Sequence, residues 1–93
     1  MKENEFYQQA LQSFSEKVES VMRGDLKLCK SMIISANDAY DVLEAHGLQR
    51  SREVDYNGWE LDFWQQVVDE ETGKEYMLSG SGWYGGVCFC PEE

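Results

Sequence analysis

Apolar residues near the N-terminus recur with a helical period. Over residues 4–23 they stand three or four positions apart, at Tyr7, Ala10, Leu11, Phe14, Val18, Val21 and Met22. This spacing predicts an amphipathic helix whose apolar stripe faces a core. Asn4 is the expected N-cap, and Gly24 is the expected residue just beyond the C-terminus.

The next segment allows two interpretations. The first is one continuous helix over 25–46. It is favoured by apolar residues that stand three or four positions apart, at Leu26, Cys29, Ile33, Ala36, Tyr40 and Leu43. The alternative is a helix over 36–46 after an irregular or extended segment, 26–34. Ser35-Ala-Asn-Asp supports this alternative because it has the pattern of a capping box. In both cases the helix ends at Gly47.

From residue 52 onward the apolar period changes to two, which predicts strands. Turn signals separate the predicted strands, which cover residues 52–56, 59–68, 75–80 and 83–90. Asn57-Gly58 predicts a two-residue hairpin turn, and Glu71-Thr-Gly-Lys predicts the next turn. Ser79-Gly-Ser-Gly predicts a flexible connection, and Pro91 suits the end of the last strand.

A run of helices followed by a run of strands predicts an α+β fold. We expect one domain over residues 1–93, with two N-terminal helices (4–47) packed on a three- to four-stranded antiparallel β-meander (52–90). The expected core residues are Tyr7, Leu11, Phe14, Val18, Val21, Leu43, Trp59, Leu61, Phe63 and Val67.

The charge of the chain is concentrated in its second half. Residues 1–52 carry eight acids and seven bases, whereas residues 53–93 carry ten acids and one base. That acidic half also holds all three tryptophans and six of the eight glycines. Such a surface predicts a partner of opposite charge and makes direct binding of nucleic acid or of an anionic membrane unfavourable.

The strand predicted over 59–68 gives the most specific indication of a site. Trp59, Leu61, Phe63, Gln65 and Val67 are expected to face the helices, and Glu60, Asp62, Trp64, Gln66 and Val68 the outer side. Carboxylates two residues apart on a strand lie about 6.6 Å apart, a spacing of the same order as successive phosphates. The functional interpretation is a phosphate-mimicking stripe anchored by Trp64. The alternative is an ordinary solvated strand face with Trp64 covered by a loop.

The predicted partner-binding set joins the outer face of that strand to two further segments. Asp69-Glu-Glu adds negative charge at a turn. The run from Gly80 to Gly86 adds Tyr84 as a rigid contact, because glycine permits close backbone approach. The set comprises Glu60, Asp62, Trp64, Gln66, Asp69, Glu70, Glu71 and Tyr84.

Cysteine and histidine positions raise the question of a metal or a nucleophile. Cys88-Phe-Cys90 together with Cys29 and His46 has the composition of a zinc site, but its spacing is not that of a zinc knuckle. Cys88 and Cys90 share one strand face, where they serve equally well as small core residues. We therefore predict no metal, no cofactor and no catalytic residue. With no signal peptide, membrane span or paired cysteines, we expect a cytoplasmic protein.

These features favour a small non-catalytic inhibitor that binds a basic, nucleic-acid-binding surface of a partner protein, either as a monomer or as a homodimer. The size and charge are similar in profile to phage- or plasmid-encoded anti-CRISPR and anti-restriction proteins, which act on nuclease complexes and in some cases mimic DNA. Alternatives are an immunity protein that neutralises a toxin, and a small oligomeric adaptor that uses its helical face.

Overall fold

The computed structural model describes residues 2–25, 31–57, 62–81 and 86–91, and their side chains from 5–25, 31–52, 63–81 and 86–91. The elements are α1 (Lys2–Arg23), β1 (Met32–Ile33), α2 (Ala36–Ala45), β2 (Leu48–Asn57), β3 (Asp62–Asp69), β4 (Glu75–Ser81) and β5 (Gly86–Pro91). An α+β fold with two N-terminal helices is therefore confirmed. The described sheet has five strands rather than the expected three or four.

The five strands lie in the order β1-β5-β4-β3-β2, and every neighbouring pair is antiparallel. From β2 to β5 each strand lies beside the next one in the chain, which is the predicted meander. The additional strand, β1, pairs with β5 through two residues, Met32 and Ile33. It belongs to the segment for which an extended conformation was one of the two predicted alternatives.

The ends of α1 confirm one expectation and correct another. After Arg23 the chain turns through Gly24, whose φ is +80°. The Gly24 N–H donates to the Val21 carbonyl at 3.0 Å and the Asp25 N–H to the Ser20 carbonyl at 2.9 Å, which is a Schellman motif. The prediction of Asn4 as N-cap is wrong, because α1 already begins at Lys2. The residues before Asn4 are lysine and glutamate, which favour helix strongly enough to extend it.

The start of α2 settles the choice between the two predicted helices. Ser35 is the N-cap, with extended backbone, and its hydroxyl accepts from the Asp38 N–H at 3.2 Å. In a capping box the third residue reaches back to the N-cap N–H, but here it is Asp38 instead of the usual longer glutamate. The hydroxyl of Tyr7 in α1 bridges the gap, because it accepts from the Ser35 N–H at 3.1 Å and donates to Asp38 Oδ2.

A second contact shows how the two helices are aligned. Ser15 Oγ in α1 lies 2.9 Å from Nε2 of His46, the C-cap of α2. Tyr7 meets the first turn of α2 and Ser15 meets its last, so the helices run side by side in the same direction. Polar contacts at both ends of α2 therefore fix its register on α1.

Replacing Tyr7 by phenylalanine is expected to lower the free energy of unfolding by about 1 kcal/mol, because it removes the hydroxyl that bridges the exposed Ser35 N–H and the half-buried Asp38 carboxylate. Urea unfolding followed by circular dichroism measures this change. Gln9→Ala, at an exposed position of the same helix, is the control and should change little. An equal loss in both variants would show that the bridge does not stabilise the fold.

The core lies between the two helices and one face of the sheet. Its residues are at most 2% exposed, and they are Phe14, Val18, Val21, Ile34, Ala39, Leu43, Leu48, Val67, Tyr76, Leu78, Val87 and Phe89. Of the expected core residues, Tyr7, Leu11 and Phe63 are only partly buried against this cluster. Trp59 and Leu61 lie outside the described residues.

The hairpins β2-β3 and β3-β4 form as predicted, but not all of the predicted strand boundaries are confirmed. Asn57 pairs with Asp62, so four residues rather than two separate the paired positions of β2 and β3. This register depends on the two register shifts in β2 and on the burial of one face of β3. Together they outweigh the preference of Asn57-Gly58 for a two-residue turn. The turn after Asp69 is confirmed, with Gly73 at a φ of +75°.

The prediction of a flexible Ser79-Gly-Ser-Gly connection is wrong for its first three residues, which belong to β4. A Cβ placed on Gly80 would lie 2.7 Å from the Gly86 carbonyl oxygen and 2.8 Å from the Phe63 ring. Gly80 therefore allows close packing inside the sheet, and its role is not to provide flexibility.

Candidate functional site

Both helices cover one face of the sheet, and the alternate residues of β3, β4 and β5 point to the other side. We call this second side the open face. Its described residues are Ile33 of β1, Gln49 and Arg52 of β2, and Trp64, Gln66, Val68, Glu75, Met77, Ser79, Ser81, Gly86, Cys88 and Cys90 of the other three strands. Among the described side chains of this face the charged ones are Glu75, which begins β4, and Arg52, which pairs with Gln66.

Trp64 is the most prominent side chain of the open face. It is 37% exposed, and it was expected on this side. Trp64 pairs with Ser79 and Ser79 pairs with Cys88, so the three form one row across the sheet. On the β4 side the row continues with small residues that do not enclose the indole, so part of its ring is available to a partner. On the β2 side Trp64 pairs with Asp55, whose side chain lies outside the described residues.

Gln66 was expected to be a contact residue of the outer face, and it lies on that face, but little of it is exposed. Its side chain is only 7% exposed. The Ser51 hydroxyl lies 3.2 Å from Gln66 Oε1 and 3.2 Å from the Gln66 carbonyl oxygen. Ser51 sits at the register shift between Arg50 and Arg52, and that irregularity brings its hydroxyl to Gln66. Gln66 thus stabilises the junction of β2 and β3.

Asp69 is likewise not an exposed acid. It is 7% exposed, and both carboxylate oxygens hold the turn between β3 and β4. Oδ1 accepts from the Glu71 N–H at 3.0 Å and Oδ2 accepts from the Thr72 hydroxyl at 3.1 Å. Burial, and secondarily the charge of Asp69, raises the pKa of the neighbouring Tyr76. The carboxylate of Asp69 therefore has a structural role.

Three other acids at the same end of the sheet are solvent-exposed. Glu70 and Glu71 lie in the turn and Glu75 begins β4; we call these three residues the acidic turn. No ion pair joins them to a basic side chain among the described residues. Lys74, which lies between them, places its Nζ 5.6 Å from the Tyr76 ring centre. The acidic turn therefore keeps net negative charge.

Three members of the predicted set cannot be placed on this surface. Glu60 and Tyr84 lie outside the described residues, and so does the side chain of Asp62, whose backbone begins β3. The described outward positions of β3 beyond Asp62 carry no carboxylate. A phosphate-like stripe along the face would accordingly depend on Glu60 and Asp62 alone.

A depression of about 370 Å³ lies beside Trp64. Its lining includes the hydroxyl-bearing residues Ser31, Ser79 and Ser81 and the backbone of Gly86. A Cβ on Gly86 would lie 2.6 Å from the Ser31 hydroxyl oxygen, so no larger residue fits there without displacing it. The depression exists because small residues meet where β4 and β5 pair.

The metal and nucleophile hypotheses find no assembled site among the residues the structure describes. Cys88 and Cys90 are free, half-buried thiols on the open face. They were considered as core residues, but Val87 and Phe89 occupy the inner positions of β5. His46 lies in the helical layer on the opposite side. No group of three metal-ligating residues occurs in the described part of the chain, and Cys29 is outside it.

A second cavity of about 250 Å³ lies between α2 and β2. The guanidinium of Arg50 stands over the Tyr40 ring there, 4.2 Å from its centre. The cation at this cavity is thus already paired with an aromatic ring inside the protein.

Comparison with known proteins gives no relative: no family model matches the chain, and neither a curated protein nor a solved structure matches it. Neither described helix is long and apolar enough to span a membrane.

Proposed function

We propose that this protein is a non-catalytic inhibitor that binds a basic, nucleic-acid-binding surface of a partner protein. The contact surface is the open face together with the acidic turn. The observation that carries the proposal is the exposed indole of Trp64 on a sheet face that the helices leave free. At one end of the same hairpin stand carboxylates that pair with no described basic side chain.

The arrangement of charge on this surface suits binding. Trp64 and Val68 are four residues apart on β3, about 13 Å, and Val68 pairs with Glu75 of the acidic turn. Toward β4 and β5 the aromatic anchor thus lies beside the uncharged residues Ser79 and Cys88, which form an uncharged centre, and the acidic turn lies at its rim. Burying an uncharged centre avoids the cost of desolvating ions, while rim charges accelerate encounter and select partners of opposite sign.

A formal net charge of −10 on 93 residues favours a cationic partner. Surfaces that bind nucleic acid are the most strongly basic that proteins present, because they neutralise phosphates. A nuclease complex of the CRISPR or restriction kind fits this requirement, and occupying its nucleic-acid groove would inhibit it. A toxin that acts on nucleic acid would present the same chemistry, so the immunity hypothesis uses the same surface.

The adaptor hypothesis is less favoured, because the helical surface that it requires packs inside the protein. It required the apolar stripe of the helices to form an interface between subunits. In α1 the stripe residues Phe14, Val18 and Val21 are at most 1% exposed and pack in the protein's own core. The other four, Tyr7, Ala10, Leu11 and Met22, are partly buried against the same core. Phe6, which is 73% exposed, stands apart from that stripe.

The proposal is tested with purified CRISPR and restriction nucleases, each in a nucleic-acid-free and a nucleic-acid-bound form. We expect the protein to bind the free form of one of them, to be excluded from the bound form, and to lose affinity as salt rises. Equal binding to both forms, or an affinity that does not change with salt, would contradict the proposed surface.

Reversing the charge of the acidic turn with Glu70→Lys, Glu71→Lys and Glu75→Lys is expected to weaken binding to that nuclease about tenfold or more, mainly by slowing association. The matched control is Glu5→Lys, Glu16→Lys and Glu19→Lys, which makes the same change in net charge at exposed positions of α1. Surface plasmon resonance measures both rates. If the control triple weakens binding equally, net charge rather than the acidic turn determines association.

A further inference from the structure

We propose that the depression beside Trp64 binds the guanidinium group of an arginine side chain that the partner supplies. This inference rests on the proposed function and specifies the chemistry of its central contact. The depression lies on the open face, next to the aromatic ring that is most exposed among the described residues of that face.

The depression offers two kinds of contact that a guanidinium uses. The indole of Trp64 gives a flat aromatic surface on which a planar cation stacks. Ser31, Ser79 and Ser81 place hydroxyl groups in the lining, and a hydroxyl oxygen accepts hydrogen bonds from guanidinium N–H groups. The remainder of the lining is glycine, Phe63 and Cys88, which suits the aliphatic part of the side chain.

The surroundings of the depression favour a positively charged occupant. None of its described lining residues is basic, and the protein carries a formal net charge of −10. A cation entering it meets no described positive charge in the lining and is attracted by the protein as a whole.

The choice between arginine and lysine follows from shape and hydration. A guanidinium is planar, weakly hydrated and rich in directed N–H donors, so it stacks on an indole and bonds to several hydroxyls together. An ammonium is compact and strongly hydrated, and it loses more on leaving water. The volume of about 370 Å³ lies near the lower end of the range for ligand pockets, so it suits one side chain and not a larger ligand.

The test compares hexa-arginine with hexa-lysine by isothermal titration calorimetry at low and at high salt. The two peptides carry the same charge, so the acidic surface attracts both equally and both should weaken as salt rises. We expect hexa-arginine to bind about fivefold more tightly. Trp64→Leu should abolish this preference while leaving the salt dependence.

A matched pair of variants isolates the depression from the rest of the face. Cys88→Leu fills the depression and should remove the arginine preference. Cys90→Leu changes the same strand and the same face, two residues away and outside the lining, and should retain it. A thermal melt of each variant confirms that it is folded.

The outcomes separate this inference from the proposed function. Equal affinities for the two peptides with strong salt dependence would overturn the arginine assignment and leave the proposed function standing. Tighter binding of a hexapeptide in which two arginines are replaced by phenylalanine would also overturn it, in favour of an aromatic occupant. No binding of either charged peptide at low salt would contradict both.

Discussion

Replacing Phe89 by alanine is expected to lower the free energy of unfolding by about 3–5 kcal/mol. The ring is 0% exposed and stacks on Tyr76, with their centres 5.2 Å apart. Removing it leaves a cavity at the centre of the core, between the sheet and the helices. A domain of this size has a total stability of roughly 5–14 kcal/mol, so this variant should be partly unfolded at moderate temperature.

The matched control for this prediction is the neighbouring outward position. Cys90→Ala changes a half-buried residue of the open face and should cost less than about 1 kcal/mol. Urea unfolding of both variants by circular dichroism gives the two free energies. If Cys90→Ala proved as costly as Phe89→Ala, the open face would be covered in solution, and the proposed binding surface would be wrong.

Replacing Trp64 by alanine is expected to weaken binding to the partner nuclease by about 2 kcal/mol or more, roughly 30-fold, with the fold retained. The indole is the most exposed aromatic group among the described residues of the open face, and aromatic residues of this kind contribute most to binding when they are fully desolvated in a complex. The loss should appear mainly as faster dissociation, since the residue is uncharged.

Trp64→Phe serves as the control because it keeps an aromatic ring at the same place and should recover part of the affinity. Surface plasmon resonance gives the dissociation rates, and a thermal melt checks the fold. Unchanged dissociation in Trp64→Ala would mean that the ring is not at the interface. The acidic turn would then have to account for binding without an aromatic anchor.

The helices were largely predictable because their signals are local. Hydrophobic spacing and Gly24 place the body and the end of α1, and Ser35 marks the start of α2. The sequence left two alternatives for the segment before Ser35, because spacing of apolar residues alone fits a long helix as well. The bridge through Tyr7 is a contact across 28 residues of sequence, and nothing near Ser35 indicates it.

The strands were predictable as pairs but less well as boundaries. Asn57-Gly58 correctly indicates a hairpin, yet the pairing of Asn57 with Asp62 depends on irregularities in β2 that leave no clear pattern in the sequence. Ser79, Gly80 and Ser81 have the composition of a linker. They form a strand because Gly80 allows close packing against Phe63.

The candidate site was predictable in outline only. Alternation along β3 correctly assigns Trp64 to the outer side, but the same rule made Gln66 an exposed residue. The burial of Gln66 depends on the Ser51 hydroxyl, and that of Asp69 on its turn bonds. The first is a tertiary contact and the second is a local turn motif, and the alternation of inward and outward residues predicts neither. Small residues of β4 and β5 form the depression beside Trp64. Their spacing in the sequence is that of any short strand, so it does not indicate a depression.

The most direct test of the central claim is an NMR titration of the ¹⁵N-labelled protein with hexa-arginine at low salt. We expect the largest amide shift changes on β3, β4 and β5 around Trp64 and Ser79 and on the acidic turn, and we expect high salt to reduce them. Shift changes confined to the outer surfaces of α1 and α2, or spread evenly over the molecule, would contradict the assignment of the open face as the binding surface.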